Sequence, residues 1–314
     1  MPGLTAPTCP ASRTPARTGV VAAVVVSHHS TPEAARCVRA LWRDDPDLAV
    51  VVVENSGDPA EAAALAAELP RATVLATDNR GFGAGCNTGI DHALAHVAQL
   101  DAVLLINPDA EPEPGALAHL RATLARHPDA GAVGARLLAR DGRRVLFEHG
   151  RVRRWTLARS HARWPRTAPG SECPTEFLTG ACLLVAADLL RAGLRFDEGY
   201  FLYVEDLDLS CAIAARGRTL WVNRDAVVRH DEGGTQREVP LPGGMRARQL
   251  YWLTKGKVRF ARKWLSPLQR ACFLAVACVL KPIAGVVAWR SARFLGPYFA
   301  GLRDGLRDSA RKPA

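Results

Sequence analysis

The side chains able to do chemistry fall in short polar clusters. They include Ser27-His28-His29-Ser30, Glu54-Asn55-Ser56-Gly57-Asp58, Asn107-Pro108-Asp109 and a glycine-rich stretch from Asn79 to Gly89 that holds Gly81, Gly83, Gly85 and Asn87. Farther on, Tyr200, Phe201 and Tyr203 precede Glu205, Asp206 and Asp208. A carboxylate beside a semi-apolar wall can act as a general base toward a weak nucleophile. The helix dipole also favours acids in a first helical turn, so position alone does not single one of them out. His230 completes the set: an imidazole and a carboxylate suit a divalent cation, and His230 with Asp109 would supply both if the fold brings them together. The glycines would let backbone approach a ligand closely at a helix start.

The elements that must position these clusters can be read from the pattern. Val20 to Val26 is an apolar run of strand length, suited to burial on both faces of a parallel sheet. Thr31 as N-cap and Pro32 at the first position open a helix through Trp42. Further strands are expected at 49–54, 72–76, 102–106 and 130–138, with helices at 58–70, from the glycine-rich turn to about Ala98, and at 114–126. Glu205 to Arg216 reads as a helix stopped by Gly217, and Ala226 to Arg229 as a short strand. Strands alternating with helices imply an α/β domain with a doubly wound, mostly parallel sheet and helices on both faces. In such sheets ligands bind beyond the carboxyl ends of the strands, where the polar clusters lie. The glycines follow the third strand and do not spell G-x-G-x-x-G, which disfavours a dinucleotide fingerprint.

Composition is that of a globular protein, with 48% apolar and 23% charged residues. Eight scattered cysteines without C-x-x-C spacing argue against a zinc ribbon or disulfide framework and fit reduced cytosolic thiols. The net charge of +10 is lopsided: residues 241 to 314 carry 15 basic and 2 acidic side chains, against 26 and 29 in the rest. We divide the chain into a disordered leader (1–19), a catalytic domain (20–240) and a basic, apolar, helical C-terminal region (241–314). Between Asp141 and Thr175 periodicity fades, and eight arginines accompany one acid, Glu148, from Arg143 to Arg166. That stretch is either a solvated loop or an anion site. Ala271 to Trp289 holds one charge, Lys281, followed by Pro282. A central lysine and proline, with flanking aromatics and arginines, suit a helix lying in a membrane interface better than one that spans it; a subunit interface is a further possibility. An anionic partner for the tail could also be nucleic acid, but apolar residues between the basic ones fit a lipid surface better.

Taken together, VVVSHHS, VVVENSGD, NRGFGAGCNTG, LLINPDA, FLTGACLLV, FDEGYFLYVEDLDL and VRHDEGGT, between about residues 20 and 235, resemble the family 2 glycosyltransferases of GT-A fold, and within them the bacterial rhamnosyltransferase-like members. The resemblance implies transfer of a sugar, with inversion, from a dTDP- or UDP-linked donor (L-rhamnose from dTDP-rhamnose foremost) to a glycan or polyprenyl-diphosphate-linked acceptor in cell-envelope polysaccharide synthesis. It implies Mg²⁺ or Mn²⁺ at Asp109 and His230, and Asp206 as catalytic base beside Glu205. Donor contacts would fall to Ser27, Glu54, Asn55, Asn79, Gly81, Gly83, Asn87, Asn107 and Asp109. Thr179, Gly180 and Ala181 would border the acceptor. The expected setting is cytoplasmic, peripheral on the inner face of the cell membrane, with a homo-oligomer allowed and no nucleic-acid partner. His28-His29 replaces the usual Tyr-Asn after the first strand. The competing readings are an NAD(P)-binding oxidoreductase and a non-catalytic nucleic-acid-binding protein.

Overall fold

A computed structural model describes residues 19–153, 155, 157–162, 164, 170–231, 240–241 and 244–308. The expected leader therefore lies almost wholly outside the described residues. The first half alternates as the pattern predicts: β1 (Val21–Ser27), α1 (Thr31–Asp44), β2 (Ala49–Glu54), α2 (Pro59–Glu68), β3 (Thr73–Ala76), α3 (Phe82–His96), β4 (Ala102–Ile106), β5 (Ala110–Pro112), α4 (Ala116–Arg126) and β6 (Ala130–Ala139). Then come β7 (Val145–Phe147), β8 (His149–Arg153), β9 (Ala158–Ala162), β10 (Glu172–Pro174), β11 (Cys182–Ala186), α5 (Ala187–Arg191), α6 (Glu205–Ala215) and β12 (Thr219–His230). The chain closes with α7 (Ala247–Trp264), α8 (Pro267–Ala275), a π-helical turn (Val276–Leu280), α9 (Lys281–Trp289) and α10 (Leu295–Arg307).

The main sheet runs β10-β12-β6-β11-β4-β1-β2-β3, with β5 added to β12 and β7 to β6. Strands β3, β2, β1 and β4 are mutually parallel, as are β6 and β12. Every residue of β1 and β4 is buried, as continuous apolar runs in a covered parallel sheet require. In-register pairing of Ser27 with Glu54, and of Glu54 with Ala76, aligns three carboxyl ends on one edge. Strand β11 runs antiparallel between β4 and β6, so Cys182 lies opposite Ile106 and the residues before it meet those after β4.

The structure corrects several expected boundaries. The N-cap position of α1 is held by Ser30, without a side-chain cap bond, and not by Thr31, whose hydroxyl donates to Glu61. The glycine-rich stretch is a turn only as far as Gly81, and α3 starts at Phe82. The strand expected at 226–229 is twelve residues long; the polar Asn223-Arg224-Asp225 at a register shift against β6 interrupts its apolar pattern. The 141–175 stretch holds β7 to β10, of which β8 and β9 form a separate hairpin. Arg154, Arg163 and Arg166 from its basic set lie outside the described residues.

Helix α7 packs along α10, and Gly301 and Gly305 let the two backbones approach: a Cβ at either would sit within 3.0 Å of α7 backbone carbonyls. A Ser266–Gln269 capping box starts α8. From Pro267 to Trp289 the chain is helical over 23 residues. Pro282 has no N–H for the carbonyl four residues back, and the π-helical turn lies just ahead of it. Leu268, Val279, Leu280, Ile283 and Val287 of this stretch are exposed.

Strand β10 is tied to α4 by Glu172. Burial pushes its carboxyl pKa up, but hydrogen bonds from Arg126, Thr123 and His127 prevail and hold it at about 2, below the usual 4.5. A depressed carboxylate stabilises the fold fully above the unfolded-state value and loses that contribution as pH falls through the folded one. Glu172→Gln should cost about 2 kcal/mol at neutral pH. Urea denaturation followed from pH 7 to pH 2 should show the variant's deficit shrinking steadily below pH 4.5.

Candidate active site

Asp109 and His230 are more than a hundred positions apart in sequence but adjacent in space, because β5 pairs antiparallel with the end of β12, setting Ala110 opposite His230. His230 Nε2 lies 3.1 Å from Asp109 Oδ1 and 3.3 Å from Asn107 Nδ2, and Asp231 N–H donates to Asp109 O at 3.1 Å. One ring nitrogen can donate to the carboxylate or accept from the amide, not both. A divalent cation shared by Nε2 and Oδ1 would satisfy both lone pairs. This donor set fits such an ion only when phosphate or water completes the shell, since among the described residues no three His, Cys, Asp or Glu side chains cluster for a metal.

From that corner the site runs across the sheet edge. Asn107 N–H donates to Ala181 O at 3.0 Å, which fixes Thr179-Gly180-Ala181 beside the Asn107–Asp109 turn. Gly180 in turn faces Asp206: a Cβ there would lie 3.7 Å from Asp206 Cβ and 3.2 Å from the Phe82 ring. Asp206 is the second residue of α6, its Oδ1 2.8 Å from Leu207 N–H. Phe82 N–H donates to Phe201 O at 3.1 Å, so the start of α3 and the aromatic segment before α6 share one wall.

On the far side lie the ends of β1 and β2. Ser27 and Asn55 are buried and serve mainly as internal ties. Ser27 Oγ is 3.1 Å from Ser30 Oγ, while Asn55 donates to Gly81 O at 3.2 Å and accepts from Thr77 Oγ1 at 3.2 Å. Glu54 differs. Its Oε2 accepts from Ser56 N–H and Oγ, but its buried Oε1 has no hydrogen-bond partner. An orphaned buried carboxylate oxygen is costly unless something bound donates to it.

The glycine-rich stretch has another use than the one expected of it. Asn79 Oδ1 caps the turn by accepting from Gly81 N–H. Gly81 has φ +105°, and a Cβ on it would strike the backbone of Phe201. Gly83 abuts Phe196, while Gly85 and Gly89 abut Val26 and Val24 of β1. The Cβ positions of these glycines face protein: they seat α3 against the sheet and the 196–201 segment. Asn87 is likewise committed, donating to Phe196 O and Glu198 Oε1 and accepting from Phe196 N–H. Gly83 and Asn87 thus position the site rather than line it.

Sequence reasoning missed what holds the Asp206 segment. Tyr203 and Val204 have φ +68° and +75°, both in the left-handed region and directly before α6. Such strain persists only where packing overdetermines it. Gly256 of α7 supplies that packing, since a Cβ there would come within 3.0 Å of Tyr203 O and 3.1 Å of Val204. Asp208, 2% exposed, accepts from Tyr200 Oη (3.1 Å), Lys263 Nζ (2.8 Å) and Trp264 Nε1 (2.7 Å). Lys263 also donates to Asp197 at 2.9 Å, and Arg259 pairs with Asp197 and with Asp308. Burial works to raise the Asp197 carboxyl, but hydrogen bonds from Lys263, Gly199 N–H and Arg259 keep it below the usual range. The available signal was a set of residues spaced three or four apart in a helix, the aromatic Trp252, the small Gly256 and the basic Arg259 and Lys263, which mark one face of α7.

A family model described as "Glycosyltransferase like family 2" matches residues 16–243. The N-acetylglucosaminyl-diphospho-decaprenol L-rhamnosyltransferases of Mycobacterium tuberculosis strains H37Rv and CDC 1551 / Oshkosh are 26% identical to this chain over 248 residues, which is 70% of this chain and 79% of theirs. Among solved structures, GalNAc-T7 with UDP, GalNAc and Mn²⁺ aligns with a TM-score of 0.65 at 13% identity, over 93% of this chain and 56% of that one. This chain therefore spans little more than half of GalNAc-T7. S. aureus TarS (1–349) aligns with a TM-score of 0.55 at 14% identity, over 91% and 80% of the two chains. These likenesses establish a GT-A fold.

A side chain at Gly256 should push Tyr203 and Val204 away and misdirect the start of α6. Gly256→Val is expected to destabilise the protein by about 1–3 kcal/mol. The check is chemical denaturation against the wild type, with Gly296→Val as the control, since a Cβ at Gly296 meets nothing within 4 Å.

Proposed function

We propose a reaction on one premise already established: this chain belongs to the glycosyltransferase-like family 2. It transfers a sugar from a nucleoside-diphosphate donor to a hydroxyl of a lipid-linked acceptor, inverting the anomeric carbon. One observation carries this reading. The Asp109–His230 pair and Asp206 are linked through a single short segment, with Ala181 bonded to Asn107 and Gly180 packed on Asp206. A diphosphate held at the first and a hydroxyl approaching the second would meet across that segment.

In the step itself, Asp206 accepts the proton of the acceptor hydroxyl as its oxygen bonds to the anomeric carbon. The bond from that carbon to the donor's diphosphate oxygen breaks, and its electron pair leaves with the diphosphate. One base suffices, because inversion forms no covalent intermediate with the protein, and it contributes about 10²- to 10⁴-fold. Buried Glu205 adjoins Asp206 at the helix start, where the dipole favours both carboxylates. Asp109 and His230 would hold Mg²⁺ or Mn²⁺, which when bound neutralises charge on the diphosphate. The orphaned Glu54 Oε1 calls for a hydrogen-bond donor, and the imide N–H of uracil or thymine is one, which favours a UDP- or dTDP-linked donor. The mycobacterial relatives are named L-rhamnosyltransferases with a diphospho-decaprenol acceptor, which supports rhamnose and a polyprenyl-diphosphate acceptor here.

We assign the transfer domain to residues 20–240 and membrane attachment to 241–314. The exposed apolar side chains of the Pro267–Trp289 helix, with Arg270 in its first turns and Arg290 and Arg293 just after it, suit an interfacial seat on the cytoplasmic leaflet. The oxidoreductase alternative would need a G-x-G-x-x-G fingerprint after β1, where Ser27-His28-His29-Ser30 stands instead.

Asp206→Asn should lower turnover by about 10²- to 10⁴-fold while calorimetry finds donor binding within twofold of wild type. Lost donor binding would instead make Asp206 structural. His230→Ala should abolish the part of donor affinity that chelation with EDTA removes from the wild type. A panel of dTDP- and UDP-sugars scored by thermal shift, then by transfer to a lipid-linked acceptor, identifies the donor, and indifference to every nucleotide sugar would overturn the assignment.

A further inference from the structure

Residues 149–171 hold six arginines and neither aspartate nor glutamate. Within this stretch β8 and β9 pair only with each other, as a hairpin off the main sheet. Arg151 and Arg153 of β8 are exposed, and among the described residues neither forms an ion pair. Alternation along the strand turns both to one face, about 7 Å apart. The acids at the root of the hairpin already have partners. Glu148 pairs with Arg136 and accepts from Trp164 N–H, Glu172 is held by Arg126 and His127, and Glu176 accepts from Val152 N–H at 2.7 Å.

That root is fixed against the segment leading to Thr179-Gly180-Ala181. Gly150 N–H donates to Thr175 Oγ1 at 2.9 Å, and Glu176 N–H donates to Gly150 O at 3.1 Å. A Cβ at Gly150 would strike the carbonyl and ring of Phe177, so a larger residue would hold the hairpin off. Next along the chain, Leu178 N–H donates to Ser210 Oγ at 3.1 Å, and Ser210 Oγ donates to Asp206 O at 2.8 Å. Two hydrogen bonds thus join the seat of the hairpin to the backbone of the candidate base. Glu176 and Thr179 are three residues apart, at most about 11 Å of chain. The arginine-bearing hairpin therefore stands beside the segment expected to border the acceptor.

We propose that the β8–β9 hairpin binds the diphosphate of the lipid-linked acceptor through Arg151 and Arg153. This rests on the sugar-transfer reading and adds to it the residues that recognise the acceptor. In a polyprenyl-diphosphate-linked sugar the diphosphate stands off from the attacking hydroxyl by the sugar ring, so its clamp belongs beside the base and not at it. Guanidinium forks are charged at any working pH and grip phosphate oxygens bidentately without a metal. The donor diphosphate, assigned to Asp109 and His230, depends instead on a divalent cation. The two diphosphates are thus told apart by what each needs.

The test uses the full chain with geranyl diphosphate as the probe, in EDTA, read by calorimetry. The wild type should bind the probe, and excess dTDP or UDP should not displace it. Arg151→Gln with Arg153→Gln should weaken that binding by about ten- to a hundredfold, and lysine at both positions should restore only part of it. Asp206→Asn should bind the probe as the wild type does, and phosphatidylglycerol vesicles should bind the wild type and the glutamine pair alike. In transfer assays the glutamine pair should raise KM for the acceptor while kcat changes little. Undiminished probe binding by the glutamine pair, displacement by nucleotide, a requirement for Mg²⁺, or an equal loss of vesicle binding would overturn the proposal; the last would give the arginines to the bulk lipid surface. A glutamine pair that binds the probe normally removes the clamp and leaves sugar transfer standing, whereas a donor screen without a hit removes sugar transfer whatever the hairpin binds.

Discussion

The candidate site depends on a buried carboxylate that does no chemistry. Asp208 is almost completely removed from water, which is costly for a charge unless donors replace the lost hydration. Tyr200, Lys263 and Trp264 replace it, and two of these come from α7. Because Asp208 follows Asp206 by two residues on the same short helix, α6 cannot shift its first turn without exposing that charge. Lys263 extends the tie to Asp197, and Arg259 carries it on to Asp308 beyond α10. The C-terminal helices are thereby locked to the segment that aims Asp206.

The opposite corner is built by strand pairing. A three-residue strand, β5, follows Asp109 immediately and pairs with the last residues of β12. This brings together two side chains more than a hundred positions apart in the sequence. The antiparallel β11 does the same for the segment before it, since its pairing with β4 sets Ala181 against Asn107. Backbone hydrogen bonds are directional and fix register, so both placements are tight without any contribution from the side chains they deliver.

The C-terminal region serves both arms of the proposed function. Its inner face carries the ions and aromatics that steady α6, while its outer face is apolar and exposed. A helix that lies between the proposed catalytic segment and a proposed lipid surface needs this division, and the 3.6-residue period of α7 separates the two roles on one element.

The polar clusters were legible because parallel strands buried on both faces read as unbroken apolar runs, and whatever follows each run must lie at the carboxyl edge. β1, β2 and β4 therefore announced Ser27, Glu54 and Asn107–Asp109. β12 was only partly legible, since its register shift puts Asn223, Arg224 and Asp225 where apolar residues would otherwise mark a strand. The packing role of the glycine run was not legible for a different reason: a glycine needed for ligand approach and one needed for close packing are identical in sequence. Local pattern and propensity thus determined the alternation of elements, the sheet edge that gathers the polar clusters and the amphipathic C-terminal helices. Only the tertiary structure decided that His230 meets Asp109, that Gly83 and Asn87 serve packing, and that Asp208 is buried on Lys263. Those facts are contacts between residues distant in sequence, set by strand register and helix docking, and no local pattern encodes the partner.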